Sequence, residues 1–303
     1  MIKLFNLQSP LDIIEFNMNW QQVGFILALC SYGSLALELL DTNCVKKPVG
    51  INTQIYGGET ADIRSHPWMA QILCWGQHFC GGSLISSQFV LTAAHCQWRF
   101  GLKVRLGGYN GTTAMNLCSS DNCSPAGAEI DVKAIFVPNL YWDYHTYDIA
   151  LFQLAVPVKY NAQIRPICVM QTSNEGKLRR FLNYVSTFNV TGWGKTESSE
   201  TSTTLQSASL YHLDRGYCFQ IFDRAIYWPH ICAGHSQSST CTGDSGGPLS
   251  AEMTFLEWKH PILFGVVSYG ASNCREVTVF TNVLHYTNWI RDVVRSVTPT
   301  NNN

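Results

Sequence analysis

Residues 241–248 read Cys241-Thr242-Gly243-Asp244-Ser245-Gly246-Gly247-Pro248, which sets one hydroxyl among residues small enough for the backbone to approach a ligand. Gly243 and Gly246 carry no Cβ, so the chain can turn sharply and bring two backbone N–H donors to converge on a single point. Two such donors beside a hydroxyl suit an acyl group under attack, because negative charge develops on its oxygen. A Ser-Gly-Gly triplet alone suits a flexible turn equally well. The longer run, from a cysteine to a proline, is what makes Ser245 a candidate nucleophile. A serine hydroxyl is a weak nucleophile at neutral pH, so this reading requires a base and a further group to orient the base.

Both are available. Leu91-Thr92-Ala93-Ala94-His95-Cys96 supplies His95, and Tyr147-Asp148-Ile149-Ala150-Leu151 places Asp148 just ahead of an apolar run. Taken singly, His95 also fits a satisfied core histidine and Asp148 a strand-end cap. Taken together, and in the order His, Asp, Ser, the three segments resemble those of the trypsin and chymotrypsin family of serine endopeptidases. The resemblance spans residues 55 to about 297. It implies an all-β fold of two six-stranded antiparallel Greek-key barrels with a C-terminal helix, the site lying in the cleft between the barrels. It also implies that Ser245 is the nucleophile, His95 the general acid and base, and Asp148 its orienter, with Ser268 supporting Asp148. The backbone N–H groups of Gly243 and Ser245 would form the oxyanion hole.

Composition agrees with such a chain. Its 303 residues are 46% hydrophobic and 14% charged, with a formal net charge of −1, enough apolar content for a large core. The near-neutral balance and lack of a long basic run give no electrostatic footprint for nucleic acid or an acidic membrane surface. Twelve cysteines point to an oxidising compartment. They are dispersed without C-x-x-C pairs or histidines at zinc spacing, so no metal site is expected. Gly108 stands where some relatives place the first calcium carboxylate, so calcium is not expected either, and no cofactor is implied.

Along the chain, residues 23–37 form an apolar run of signal-peptide length, and Ser34-Leu35-Ala36 offers small residues for cleavage. We therefore expect a signal peptide over residues 1–36 and a secreted, extracellular product. A signal anchor is the alternative, although the run falls short of the roughly 20 apolar residues a span needs. Residues 1–17 are a long and partly acidic leader, which makes Met18 an alternative start. Residues 37–54 read as a short propeptide with no regulatory module before it. The peptidase domain then occupies residues 55–303, with a polar, disordered tail at 298–303. Ile55-Tyr56-Gly57-Gly58 resembles a mature N-terminus of the family, and the resemblance implies that the freed Ile55 amine pairs with Asp244. Gln54, where many relatives have Arg or Lys, departs from the pattern and argues against an ordinary tryptic activator.

Short apolar runs at 69–73, 89–92, 104–106, 130–137, 149–154 and 263–268, separated by Gly, Pro, Asn and Ser, predict strands. Trp289, Ile290, Val293, Val294 and Val297 recur at helical spacing after Thr287-Asn288, which can cap a final helix. Once Cys30 leaves with the signal, the resemblance implies the disulfides Cys80–Cys96, Cys218–Cys232 and Cys241–Cys274, with Cys44–Cys168 tethering the propeptide and Cys118–Cys123 closing an inserted loop. Cys74 is left over, either free or bound to another chain. Phe188 and Ala251 occupy both ends of a further bond found in many vertebrate relatives. Among the sequons, Asn110 and Asn122 lie in polar loops and are the expected glycosylation sites, whereas Asn189 runs into a strand.

The resemblance also locates the pocket for the residue before the cleaved bond. Ser239, six before the nucleophile, forms its base, with Thr240 beside it. Ser268 and Gly270 form one wall and Thr278 the other, unless the loop register differs. Basic side chains would enter without a counter-charge, an effective cost of several kcal/mol. Cleavage is therefore expected after small or medium uncharged residues such as Leu, Val, Ala or Met. The implied partners are protein or peptide substrates, an activating protease and serpin-type inhibitors. A catalytically silent homologue that binds or regulates is the alternative function.

Overall fold

A computed structural model of the chain describes residues 38–48, 59–108, 127–172, 174–196, 199, 201–236, 240–255, 258–271 and 276–297. After the short strands β1 (Lys47–Pro48) and β2 (Glu59–Thr60) come two barrels. The first comprises β3 (Met69–Cys74), β4 (Gln77–Ser86), β5 (Phe89–Thr92), β6 (Leu102–Leu106), β7 (Ala128–Phe136) and β8 (Ala150–Leu154), closed in the order β3-β4-β5-β8-β7-β6. The second comprises β9 (Thr187–Gly192), β10 (Gln206–Leu213), β11 (His230–His235), β12 (Pro248–Phe255), β13 (Trp258–Gly270) and β14 (Glu276–Asn282), closed by pairing of β13 with β14. All these pairings are antiparallel, β1 adding to β13 and β2 to β10.

Strand β6 shows why these segments form barrel walls. Leu102, Val104 and Leu106 are buried while Lys103 and Arg105 between them are only partly so, the period of two that a pleated wall needs. Closing a sheet on itself also needs local kinks, and the ladders shift at Ile72/Leu73, Leu84/Ser86, Val132/Ala134, Leu249/Ser250 and Val267/Tyr269. Phe188 stands one step beyond the pairing of Asn189 with Ser250, hence across from Ala251. Its buried ring lies 5.6 Å from that of Phe264, so apolar packing occupies the place of the missing bond.

Three disulfides join the expected pairs, Cys44–Cys168, Cys80–Cys96 and Cys218–Cys232. Cys241 is also disulfide-bonded, while its expected partner Cys274, like Cys118 and Cys123, lies outside the described residues. Cys74 is a free, half-buried thiol at the end of β3. Asn189 sits inside β9 and accepts from Ser209 Oγ at 3.1 Å, an engaged side chain; Asn110 and Asn122 lie outside the described residues.

Among the described residues, two of the three α-helices have no broad apolar stripe to announce them. Helix α1 (Glu175–Tyr184) buries only Leu178 and Leu182, and its first turn is capped by Asn174, which accepts from Lys177 N at 3.0 Å. Helix α2 (Arg215–Phe222) buries only Cys218 and is capped by Asp214 on Gly216 N at 2.7 Å. The final helix, α3 (Thr287–Val297), packs the expected face on the core around Ile290, but its start differs from the expected cap. It continues directly from a 3₁₀ turn over Val283–Tyr286, and the capping side chain is Asn282 on Leu284 N. Two consecutive helical turns satisfy each other's backbone groups, so Thr287 and Asn288 have no cap to supply.

Candidate active site

The pairing of β5 with β8 sets Thr92 opposite Ala150. In an antiparallel pair, the residues that follow Thr92 and those that precede Ala150 emerge at the same end, which brings His95 to Asp148. A single 3₁₀ turn, Ala94–Cys96, carries His95, and the Cys80–Cys96 disulfide ties that turn to β4. His95 Nδ1 lies 2.8 Å from Asp148 Oδ2, and the backbone N–H of His95 donates to Oδ1 at 3.0 Å. A carboxylate only accepts, so Nδ1 carries the proton and Nε2 keeps a lone pair free to act as a base.

Asp148 has a buried side chain, whereas that of His95 is a quarter exposed. The buried carboxylate is satisfied from the second barrel. Ser268 Oγ lies 2.5 Å from Oδ2 and 2.8 Å from the carbonyl of Tyr144, its one proton serving either acceptor, and Thr281 Oγ1 donates to the Asp148 carbonyl at 2.8 Å. Ser268 reaches this place because it is the extra residue in the shift between Val267 and Tyr269, where β13 passes β14. A bulge re-aims a side chain that regular pleating would direct elsewhere. Tyr147, just before Asp148, adopts a left-handed φ of 54°, a costly conformation held by Ile149 N donating to its carbonyl at 2.8 Å.

Ser245 lies on the loop from β11 to β12. Gly243 and Gly246 have φ of 94° and 79°, the left-handed region in which glycine is at ease. A Cβ on Gly246 would run into Thr92 Oγ1 and lie 3.1 Å from Ala93 N, so the loop packs on the segment that leads to His95. Gly81 N donates to the Ser245 carbonyl at 2.8 Å, joining the two barrels. Among the described residues, neither the N–H of Gly243 nor that of Ser245 donates to a protein acceptor. The Gly243 carbonyl is held by His78 Nε2 at 2.9 Å. Burial lowers the His78 pKa, in keeping with a neutral ring that donates from Nε2. Ser245 Oγ has no hydrogen-bond partner among the described residues, His95 included, and such bonds commonly tighten only with substrate in place.

Asp244 accepts from Gly194 N at 2.8 Å and Cys241 N at 3.0 Å. The residue as a whole is only partly buried, but its carboxylate is crowded against Gly192 and Gly194, where any Cβ would collide with it. Desolvation raises its pKa to about 6, against the opposing pull of the two N–H donors. The expected partner Ile55, with Gln54, lies outside the described residues.

Two cavities flank the row. One of about 190 Å³ is lined by Thr240, Ser268 and Gly270, all expected there, and also by Ser245, Tyr269 and Ala271. Thr278 stands behind that lining rather than on it: its hydroxyl lies 2.8 Å from that of Thr240 and closes the space behind it. Ser239 lies outside the described residues. The second cavity, about 510 Å³, extends from His95 along the same Ser268–Gly270 edge to Tyr144 and Phe222. Sequence reasoning missed His78, Thr281 and this second cavity, since none of them carries a local signal.

With Nδ1 held by Asp148, His95 Nε2 is the ring atom left to accept a proton, and the Asp148 carboxylate stands ready to stabilise the imidazolium that would result. Among the described residues, neither Cys-His cluster is fit for a metal, because Cys80 with Cys96, beside His95, and Cys44 with Cys168, beside His260, are oxidised to disulfides and offer no thiolate.

Comparison with known proteins gives one consistent result. Residues 55–290 match the Trypsin family. The chain is 32% identical over 265 residues to serine protease grass of Drosophila melanogaster, covering 81% of this chain and 69% of that protein. It is 35% identical over 264 residues to CLIP domain-containing serine protease HP8 of Bombyx mori, covering 79% and 69%. To testisin of Homo sapiens it is 31% identical over 263 residues, covering 80% and 79%.

Proposed function

We propose, from the premise that this chain belongs to the trypsin family of serine proteases and is a serine-type endopeptidase, that it is a secreted enzyme, made as a zymogen, that cleaves after small or medium uncharged residues. The observation that carries the proposal is the hydrogen-bonded row Ser268–Asp148–His95 beside Ser245 and its two unoccupied N–H donors.

In this reading Ser245 Oγ attacks the scissile carbonyl carbon as its proton passes to His95 Nε2. The carbonyl oxygen becomes an oxyanion and accepts from Gly243 N and Ser245 N. Collapse breaks the C–N bond, and the leaving amine takes the proton from His95. Water, deprotonated by the same imidazole, then hydrolyses the acyl ester and restores Ser245. Asp148 remains ionised throughout and holds the ring.

The preference for uncharged residues is supported by the smaller cavity. The described residues lining it carry no carboxylate, and the Thr240–Thr278 contact limits its depth. A lysine or arginine side chain would lose hydration there without a compensating charge. Ser239, without a carboxylate, points the same way. For activation, cleavage between Gln54 and Ile55 would free an amine to pair with Asp244, whose crowded carboxylate has no cationic partner among the described residues. An activating protease that accepts Gln54, protein or peptide substrates and serpin-type inhibitors complete the set of partners. The disulfides suit an extracellular setting after removal of residues 1–36.

A catalytically silent homologue is the rival, and Gln54 is the residue that favours it. N-terminal sequencing of the secreted chain, fluorophosphonate labelling and a peptide-library profile test the proposal together. We expect Ile55 at the terminus, a label on Ser245 and a profile led by Leu, Val, Ala or Met. No labelling of correctly cleaved material would establish the rival, and a profile led by Arg or Lys would overturn the specificity.

A further inference from the structure

Helix α2 ends at Phe222, and Asp223 then takes a left-handed φ of 47°, turning the chain so that Phe222 and Arg224 both line the 510 Å³ cavity. The opposite wall is aromatic: Tyr269 stands 5.3 Å from Phe222 and 5.8 Å from Tyr144, ring centre to ring centre, each pair edge-on. Arg224 is exposed, and among the described residues its guanidinium has neither a hydrogen bond nor an ion pair. The nearby anion, Asp143, is turned elsewhere, with one oxygen on His145 N at 2.9 Å and the other 3.2 Å from His145 Nδ1. Arg224 acts on it only through space. The result is an uncommitted cation at the rim of an aromatic cavity.

This cavity shares Ser268, Tyr269 and Gly270 with the smaller pocket that holds the residue whose carbonyl is attacked. An extended substrate rises by about 3.3 Å per residue, so a chain leaving that pocket along this edge brings residues about two to four positions upstream of the cleaved bond over the aromatic wall. We propose that Arg224 makes this a subsite for an acidic side chain, so that substrates carry Asp or Glu upstream of an uncharged residue at the cleavage site. The guanidinium presents a planar fork that pairs two N–H donors with a carboxylate, and the aromatic walls shield the pair from part of the solvent. The inference rests on the peptidase reading above and deepens it.

The test uses processed enzyme and paired fluorogenic peptides that share an uncharged residue at the cleaved bond and differ as Glu or Gln at one upstream position. We expect a kcat/KM ratio of about tenfold in favour of Glu at one of those positions, shrinking as NaCl rises. The ratio should fall to near one in Arg224→Gln, persist in Arg224→Lys, and turn to favour Gln over Glu in Arg224→Glu. Ratios within one preparation are independent of how much of it is folded. In parallel, the same peptides are titrated against Ser245→Ala. Binding that favours Glu with no turnover by the parent would sink the peptidase reading and leave the subsite standing. Turnover with a ratio of one, or a Glu preference that survives Arg224→Gln, would sink the subsite alone, and the absence of both turnover and a binding difference would sink both.

Discussion

The activation proposed above, in which Ile55 is freed to pair with Asp244, makes a thermodynamic prediction. The Asp244 carboxylate is enclosed by Gly192 and Gly194 with two backbone donors, and desolvation is the largest influence on its pKa, raising it from an ordinary 3.8 to about 6. Before Ile55 is freed, the folded chain therefore holds a proton on Asp244 between about pH 4 and 6 that the unfolded chain has lost. The stability contributed by the neutral carboxyl is whole below pH 4 and gone above pH 6. The full interval corresponds to ~3 kcal/mol, and the residue's partial exposure brings the expected effect to about 1–3 kcal/mol. Once Ile55 supplies an ammonium, the folded pKa should drop below 3.8, and the sign reverses: stability from the ion pair is then present above pH 4 and lost in acid. The experiment is urea unfolding of Ser245→Ala, uncut and cut, at pH 4, 5, 6 and 7, against the same protein carrying Asp244→Asn. In uncut material the parent should lose 1–3 kcal/mol relative to the variant from pH 4 to pH 7, and in cut material it should gain. A parent-minus-variant difference that is flat with pH in both forms would refute the argument.

Other outcomes follow from the same contacts. Asp148→Asn should lower kcat by about 10⁴, as in the Ser-His-Asp template of this family, because an amide can donate to Nδ1 and hold the ring in the wrong tautomer; a loss under tenfold in active-site-titrated enzyme would contradict that role. Ser268→Ala removes the hydroxyl between Asp148 Oδ2 and the Tyr144 carbonyl and should lower kcat about tenfold with little change in KM, so an unchanged kcat would make the bulge a matter of folding only. After cleavage at Gln54, the fragment bearing Cys44 should stay joined to Cys168 on a non-reducing gel and separate with reductant; its loss without reductant would show that the bridge does not persist.

Several features are legible in the sequence itself. His95, Asp148, Ser245 and the glycines at 243 and 246 stand in local segments whose residue types answer a chemical need, and the structure joins His95 to Asp148 and packs the loop of Ser245 on the segment that leads to His95. Cys80 and Cys96 were paired by resemblance alone, since spacing does not choose among cysteines. The six apolar runs and the strand expected at Asn189 match β3, β5, β6, β7, β8, β13 and β9, whereas β4, β10, β11, β12 and β14 carry no pattern that singles them out. Strand β4 begins with the polar or exposed Gln77, His78 and Phe79 and contains two glycines, which masks its buried half. Helices α1 and α2 escaped because each buries so little that no stripe marks it.

The sequence by itself determined which atoms are available for chemistry, because a hydroxyl, an imidazole, a carboxylate and residues without Cβ atoms are properties of residue type and short-range order. Only the tertiary structure decided what stands around them. Ser268 reaches Asp148 across 120 residues, His78 reaches Gly243 across 165, and Thr278 closes off Thr240 rather than lining the pocket. Such contacts arise from barrel closure, a bulge in β13 and the register of strands far apart in the chain, and no periodicity or spacing within a single segment encodes them.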